Sequence, residues 1–229
     1  MNVAEKVLQL KQDFDDVYEA GKQAGGGLDW DMLTDFGNRN VFTYTFYGAR
    51  LMDSNGKILF APNYSMKPTS AACMFEGTKG SIDLQEQFEK AGKELNFSDC
   101  TTLNRVFYNS EIVRIGIISA IKSANLTGLC GNSKKLRIID RIEFSKDINY
   151  TFTNAFVGCE ALTDVTAYGE LATSGLDLSA CPLTRASKLS FLEILVPTSD
   201  TKTIKFGAGE ALTNEDVAIG TQKGWSVTV

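Results

Sequence analysis

The sequence predicts a mixed α/β chain built from short stacked units, and three observations predict it. A five-residue phrase recurs, apolar residues three apart follow its copies, and helical patterning is confined to the two ends and one insertion. The phrase is any residue, Phe, any residue, Gly or Asn, then a small residue. It occurs as Thr45-Phe46-Tyr47-Gly48-Ala49, Met74-Phe75-Glu76-Gly77-Thr78, Val106-Phe107-Tyr108-Asn109-Ser110 and Ala155-Phe156-Val157-Gly158-Cys159. In Leu129-Cys130-Gly131-Asn132-Ser133 a Cys replaces the Phe. The anchors at 46, 75, 107, 130 and 156 are 29, 32, 23 and 26 residues apart. Stacked repeat units have periods of about 20 to 50 residues.

Ser110 is followed by Ile112, Ile115 and Ile118, Ser133 by Leu136, Ile139 and Ile142, and Cys159 by Leu162, Val165 and Tyr168. A variant copy, Phe97-Ser98-Asp99-Cys100, leads to Leu103 and Val106. This spacing fits a tight turn feeding a short strand, one rung per repeat. A single unit cannot bury its own apolar side, so the units must stack.

Taken in order, residues 2 to 23 predict a helix, with Val3, Val7, Leu10, Phe14 and Val17 at alternating steps of four and three. That is the a/d seam of a coiled coil. Gly21 and Gly25-Gly26-Gly27 end it. The helix is either an oligomerisation stem, giving a dimer or trimer, or a cap on the first rung. Residues 28 to 40, with Trp30, Met32, Leu33 and Phe36, are a lead-in covering that rung. The division is therefore 1–24 helix, 25–40 linker and N-cap, 41–181 repeat body and 182–229 C-terminal α/β cap. Within the body, Asp83 to Ala91 forms an inserted helix with Leu84 and Phe88 on one side. In the cap, Pro182 sits in the first turn of a helix over 183–195. Residues 202–206 form a strand, Thr213 caps a helix that Gly224 ends, and 225–229 form a closing strand.

Composition excludes several functions. The chain has 229 residues, 43% of them apolar, and a formal charge of −5. With Lys134-Lys135 as its only adjacent basic pair, it is a poor ligand for nucleic acid. No run of 18 apolar residues predicts membrane insertion, and Glu5 and Lys6 spoil a signal peptide. Histidine is absent, which removes Ser-His-Asp and Cys-His catalysis and the commonest metal ligand. The five cysteines, at 73, 100, 130, 159 and 181, form no CxxC pair, so no metal site is expected. Cys100, Cys159 and Cys181 read as buried, reduced rung residues, with Ala49, Thr78 and Ser133 in equivalent slots. Gly207-Ala208-Gly209 lacks a third glycine and carries Glu210 where a pyrophosphate would sit, so no cofactor is expected.

The repeat core is expected to contain Phe46, Phe75, Cys100, Phe107, Phe156, Cys159 and Cys181. The position after each anchor holds Tyr47, Glu76, Tyr108, Gly131 and Val157. Aromatic residues there suit surface recognition, and Tyr47, Glu76 and Tyr108 are the candidates, with Tyr64, Tyr150 and Tyr168 beside them. No catalytic residue stands out. Asp140, Glu143 and Asp164 near strands keep open a carboxylate-dependent polysaccharide depolymerase.

Ala155-Phe156 followed by Gly158-Cys159-Glu160-Ala161-Leu162-Thr163-Asp164-Val165 resembles the cysteine-bearing leucine-rich repeat of bacterial surface antigens. The stretches 110–118, 140–142, 162–165, 176–183 and 222–227 more closely resemble leucine-rich-repeat-like virion proteins of phages that infect gut bacteria, over roughly residues 41 to 229. That resemblance implies an irregular leucine-rich-repeat-like solenoid and a tail-fibre or receptor-binding role. The implied partners are other virion proteins and a host-surface glycan or protein. The chain would be made in the host cytoplasm and displayed on the virion surface. A bacterial repeat protein that scaffolds other proteins is the remaining alternative.

Overall fold

The computed structural model describes residues 41–229 except 61, 63 and 64. The expected helix at 2–23 with its seam Val3, Val7, Leu10, Phe14 and Val17, the lead-in at 28–40, and Tyr64 lie outside the described residues. Among the described residues the chain is mixed α/β, with three helices and two three-stranded parallel sheets. In chain order these are α1 (Leu84–Lys90), β1 (Arg114–Ser119), β2 (Ile138–Phe144), β3 (Asp164–Gly169), β4 (Leu176–Leu178), α2 (Arg185–Glu193), β5 (Lys202–Phe206), α3 (Asn214–Thr221) and β6 (Trp225–Thr228).

The recurring phrases form a ladder of turns. Each lies in a run with two residues of positive φ four apart: Tyr44 and Gly48, Cys73 and Gly77, Arg105 and Asn109, Gly128 and Asn132, Asn154 and Gly158. The Gly or Asn of the phrase is the second of these, at a backbone conformation that other residues adopt only at a cost. Alternate N–H groups of one run donate to carbonyls of the next. Phe46 donates to Met74, Phe75 to Val106, Phe107 to Leu129 and Cys130 to Ala155, at 2.7–2.9 Å. Neighbouring runs are thus bonded chain to chain, as parallel strands are, without being extended.

Two columns of side chains follow from that ladder. Phe46 stacks on Phe75 with ring centroids 4.8 Å apart, and Phe75 on Phe107 at 5.5 Å with planes 6° apart. Cys130 takes the next place and Phe156 the one after, and all five are buried. The small residue closing each phrase forms the second column. Ala49, Thr78, Ser110, Ser133 and Cys159 each return an N–H to their own anchor's carbonyl at 3.0–3.3 Å. The Ser133 hydroxyl also donates to the Phe107 carbonyl of the preceding run. The Cys159 thiol makes the same bond to Cys130 at 3.1 Å. Cys181 closes onto Leu178 in this way, whereas Cys100 closes onto Phe97 in a different column. All five cysteines are free and buried.

The first sheet, β1-β2-β3, shares one buried core with the turns. Its register pairs Ile115 with Ile139 and Ile139 with Val165, then Ile118 with Ile142 and Ile142 with Ala167. In β1 and β2 these buried residues are the ones spaced three apart in the sequence; in β3 the expectation fails, because Ala167 takes the buried place two residues after Val165 and Tyr168 is 60% exposed. α2 closes the sheet: the hydroxyls of Ser187 and Ser190 accept the N–H groups of Val165 and Ala167, both at 2.9 Å. The second sheet, β4-β5-β6, follows with α3 between its last two strands.

The helix expectations need corrections. Pro182 lies outside α2, because the Thr184 side chain accepts the Ser187 N–H and fixes the start at Arg185. That helix ends at Glu193 rather than 195. α3 stops at Thr221, and Gly224, at φ 85°, makes the turn into β6. The expected cap occurs at Thr213 for α3, where Thr213 and Asp216 form a reciprocal capping box; Asp83, expected as the first helical residue, is instead the N-cap of α1, which runs Leu84–Lys90.

Candidate functional site

The solvent side of the turn ladder carries two adjacent columns of side chains. One is the first positive-φ position of each run: Tyr44, Cys73, Arg105, Gly128 and Asn154. The other, three residues later, is Tyr47, Glu76, Tyr108, Gly131 and Val157. The turn bonds join the columns, since Tyr47, Glu76, Tyr108 and Gly131 each return an N–H to the carbonyl three residues before, all at 3.2 Å.

At one end Tyr44 and Tyr47 meet edge to face with centroids 5.7 Å apart. Tyr44 is 60% exposed and Tyr47 57%, so this pair stands in solvent. The neighbouring Cys73 thiol pushes the Tyr44 hydroxyl's pKa up. Burial, and then the Glu76 carboxylate, push the Cys73 thiol up in turn.

The middle of the edge is built on Glu76. Its side chain is 8% exposed, and it takes both ends of the Arg105 guanidinium, with Nε at 2.9 Å and a second bond through Nη2. Glu76 is therefore corrected from a surface contact to a buried anchor, because the Arg105 it fixes covers it. The hydrogen-bonded carboxylate holds the Arg105 guanidinium above its ordinary range. Arg105 lies over the Tyr108 ring, 4.1 Å from its centroid.

Tyr108 is half-buried, and its hydroxyl accepts the Asn132 side-chain amide at 2.8 Å. The ring rests on the next run. A Cβ on Gly131 would lie 3.0 Å from the ring and 2.7 Å from the Asn154 carbonyl, and one on Gly128 would lie 3.2 Å from the ring. Glycine at both positions leaves room for the ring. The edge thus presents two exposed phenol rings in its first run and, from its third run, a guanidinium fixed over a third ring. Such a set can stack on a ligand and donate hydrogen bonds to it.

The other sequence candidates lie elsewhere. The Tyr150 ring is buried and its hydroxyl is spent on the Ser145 N–H and the Ala120 carbonyl. Tyr168 stands exposed on β3 with Arg141 5.4 Å from its ring centroid. Asp140 accepts Arg114 at 2.8 and 2.9 Å, Glu143 pairs with Arg141 at 3.1 Å, and Asp164 accepts the Thr163 hydroxyl at 2.7 Å. In the Gly207 turn, the buried Lys188 ammonium donates to the carbonyls of Gly207 and Glu210 at 3.0 and 2.8 Å. Carbonyls turned onto an ammonium are the opposite of an anion cradle.

Sequence reading missed Tyr44 and Arg105. Their signal was the spacing of four between each of them and the Gly or Asn of the phrase. Among the described residues no group of three acidic or cysteine side chains could hold a metal, and no helix is long and apolar enough to cross a membrane. No family model, curated protein or solved structure matches the chain.

Proposed function

We propose that this chain is a non-enzymatic recognition module of a phage virion, a tail-fibre or receptor-binding component with an irregular leucine-rich-repeat-like solenoid as its body. Its turn edge contacts a host-surface glycan or protein. The observation that carries the reading is the Tyr44–Tyr47 pair on the same edge as Arg105, which the buried Glu76 holds in place. Rigid, exposed aromatic rings on one edge with a fixed guanidinium give contact area at little entropic cost, as binding surfaces require. The resemblance of residues 41 to 229 to phage virion proteins supplies the setting. The seam Val3, Val7, Leu10, Phe14 and Val17 supplies a homo-oligomer, since multivalency raises weak surface binding.

The test is binding of fluorescently labelled chain to a panel of gut-bacterial cells, beside the double variant Tyr44→Gly/Tyr47→Ala. The expected result is that one cell type binds the parent and the variant loses about tenfold or more in affinity, about 1.4 kcal/mol. The variant should unfold at an equal or higher denaturant concentration, because glycine relieves the positive φ of Tyr44. Equal binding by both forms would overturn the role of the edge. Solution mass of the full chain against a form starting at Leu28 tests the stem, with a dimer or trimer becoming a monomer as the expected result.

A further inference from the structure

The hydrogen-bonded ladder of turns breaks at one place. In four successive runs, alternate N–H groups reach the carbonyls of the next run. Gly128, Cys130 and Asn132 still do so, donating to Thr153, Ala155 and Val157 at 2.8, 2.8 and 2.6 Å. In the following run the equivalent donors are the N–H groups of Asn154, Phe156 and Gly158. Among the described residues these meet no acceptor. The segment that should receive them is 174–180, and there the chain becomes the extended strand β4.

The reason is geometric. A turn run aims every second N–H along the stack with compact spacing, while an extended strand rises about 3.3 Å per residue and points successive groups to opposite sides. The two cannot share a register. β4 pairs with β5 instead and is the edge strand of its sheet, leaving its other side unpaired. Between the two banks lies a cleft of about 520 Å³, within the range of small-molecule sites. Thr151, Asn154 and Val157 line one bank; Ser174, Asp177 and Ser179 line the other.

We infer that this cleft binds a neutral oligosaccharide. The 154–158 bank offers backbone donors, and the other carries the Ser174 and Ser179 hydroxyls and the Asp177 carboxylate, which accepts the Ser179 N–H and hydroxyl and pairs with Lys205 at 3.5 Å; the lining residues themselves include no cation. Sugar hydroxyls donate and accept without a fixed register, so they can serve both banks together. An extended peptide could add to the edge of β4, but it would turn alternate carbonyls and N–H groups toward a bank that supplies donors at a different spacing. An anionic ligand would find no lining cation, since Lys205 is already paired with Asp177. The inference rests on the recognition reading but not on the tyrosine edge, which lies at the other end of the ladder.

The experiment is an amide NMR titration of the ¹⁵N-labelled full chain with maltotriose, cellotriose and chitotriose, and with an uncharged Thr/Ala hexapeptide. The expected result is that a trisaccharide shifts the Asn154, Phe156, Gly158 and Ser179 amides and saturates at millimolar concentration. Val157→Trp, which fills the cleft from an exposed position, should weaken binding about tenfold or more. Tyr44→Gly/Tyr47→Ala should leave it unchanged, which separates this site's failure from that of the edge. No shift with any trisaccharide, shifts with the peptide alone, or full binding by Val157→Trp would each overturn the inference. Without ligand, the Asn154, Phe156 and Gly158 amides should exchange with solvent faster than Gly128, Cys130 and Asn132. Equal protection would remove its premise.

Discussion

Phe75→Ala tests whether the turn runs form one continuous packed column. Phe75 is wholly buried. Phe46 lies 4.8 Å away on one face, Phe107 5.5 Å away on the other, and Phe60 6.2 Å away edge-on. Removing the ring forfeits about 1.5–3 kcal/mol of burial and about 0.5–1.5 kcal/mol for each ring pair. The hole cannot close, because the Phe46 and Phe75 N–H groups are bonded at 2.8 and 2.7 Å and hold the three runs at a fixed separation. The expected loss is about 4 kcal/mol, inside the range of about 3–5 kcal/mol for such truncations. For a domain of this size that is a fall of about 8–16 °C in Tm. Guanidinium unfolding followed by circular dichroism measures it, with exposed Val157→Ala as a control expected within about 0.5 kcal/mol of the parent. A loss below about 1.5 kcal/mol at unchanged m-value would refute the continuous column.

Four further outcomes follow from the same contacts. Thr213→Ala removes one half of the capping box of α3 and should cost about 1 kcal/mol, with faster amide exchange in that helix. Asp216 is held down to about 2 by the Arg185 guanidinium and then by the Thr213 N–H. A depressed carboxylate stabilises the fold above its unfolded value, about 3.9, and that contribution disappears as pH falls to about 2; Asp216→Asn should flatten stability against pH across this window. Ellman's reagent should leave four thiols unreacted in the native chain and find Cys73 first, since it retains 6% exposure while the others have none; all five should react in guanidinium. Glu76→Gln should destabilise by about 1–3 kcal/mol, and a double-mutant cycle with Arg105→Ala should give a coupling of about 0.5–3 kcal/mol.

The parts of the fold legible in the sequence were those set by local rules. Thr213 announced its helix because a short acceptor side chain at a helix start satisfies free N–H groups, and the inserted helix was legible from Leu84 and Phe88 on one face. The phrase was legible because its Gly or Asn answers a backbone demand that recurs in every run. Cys130 was identifiable as a substitute for Phe because its neighbours kept the phrase. The place of Ser187 and Ser190 against the edge strand of the first sheet was not legible, since hydroxyls on a helix give no sign that they will meet a strand edge. Glu76 was misplaced for a similar reason. It occupies the column of Tyr47 and Tyr108, and only the Arg105 guanidinium folded over it from the next run makes it an anchor. The cleft was invisible because it arises from a mismatch of backbone geometry between 152–158 and 174–180, which no single residue encodes.

The positive-φ positions separate residues that serve the backbone from residues that do something else. At the second such position every run uses Gly or Asn, the residues that enter this conformation most cheaply. At the first position only Gly128 and Asn154 do so, while Tyr44, Cys73 and Arg105 hold φ of 54–59° at a cost on the order of 1–2 kcal/mol each. The ladder bonds keep them there, with the Tyr44 N–H on Ala72, Cys73 on Asn104 and Arg105 on Thr127 at 2.9–3.1 Å. Arg105 returns the cost within the fold, through its ion pair with Glu76 and its stacking on Tyr108. Cys73 returns part of it by burial. Tyr44 carries the same backbone cost, yet most of its ring lies in solvent against Tyr47. Tyr44 returns part of it through its edge-to-face contact with Tyr47 and its hydrogen bond with the Cys73 thiol, and a glycine there would relieve the backbone cost while losing both contacts.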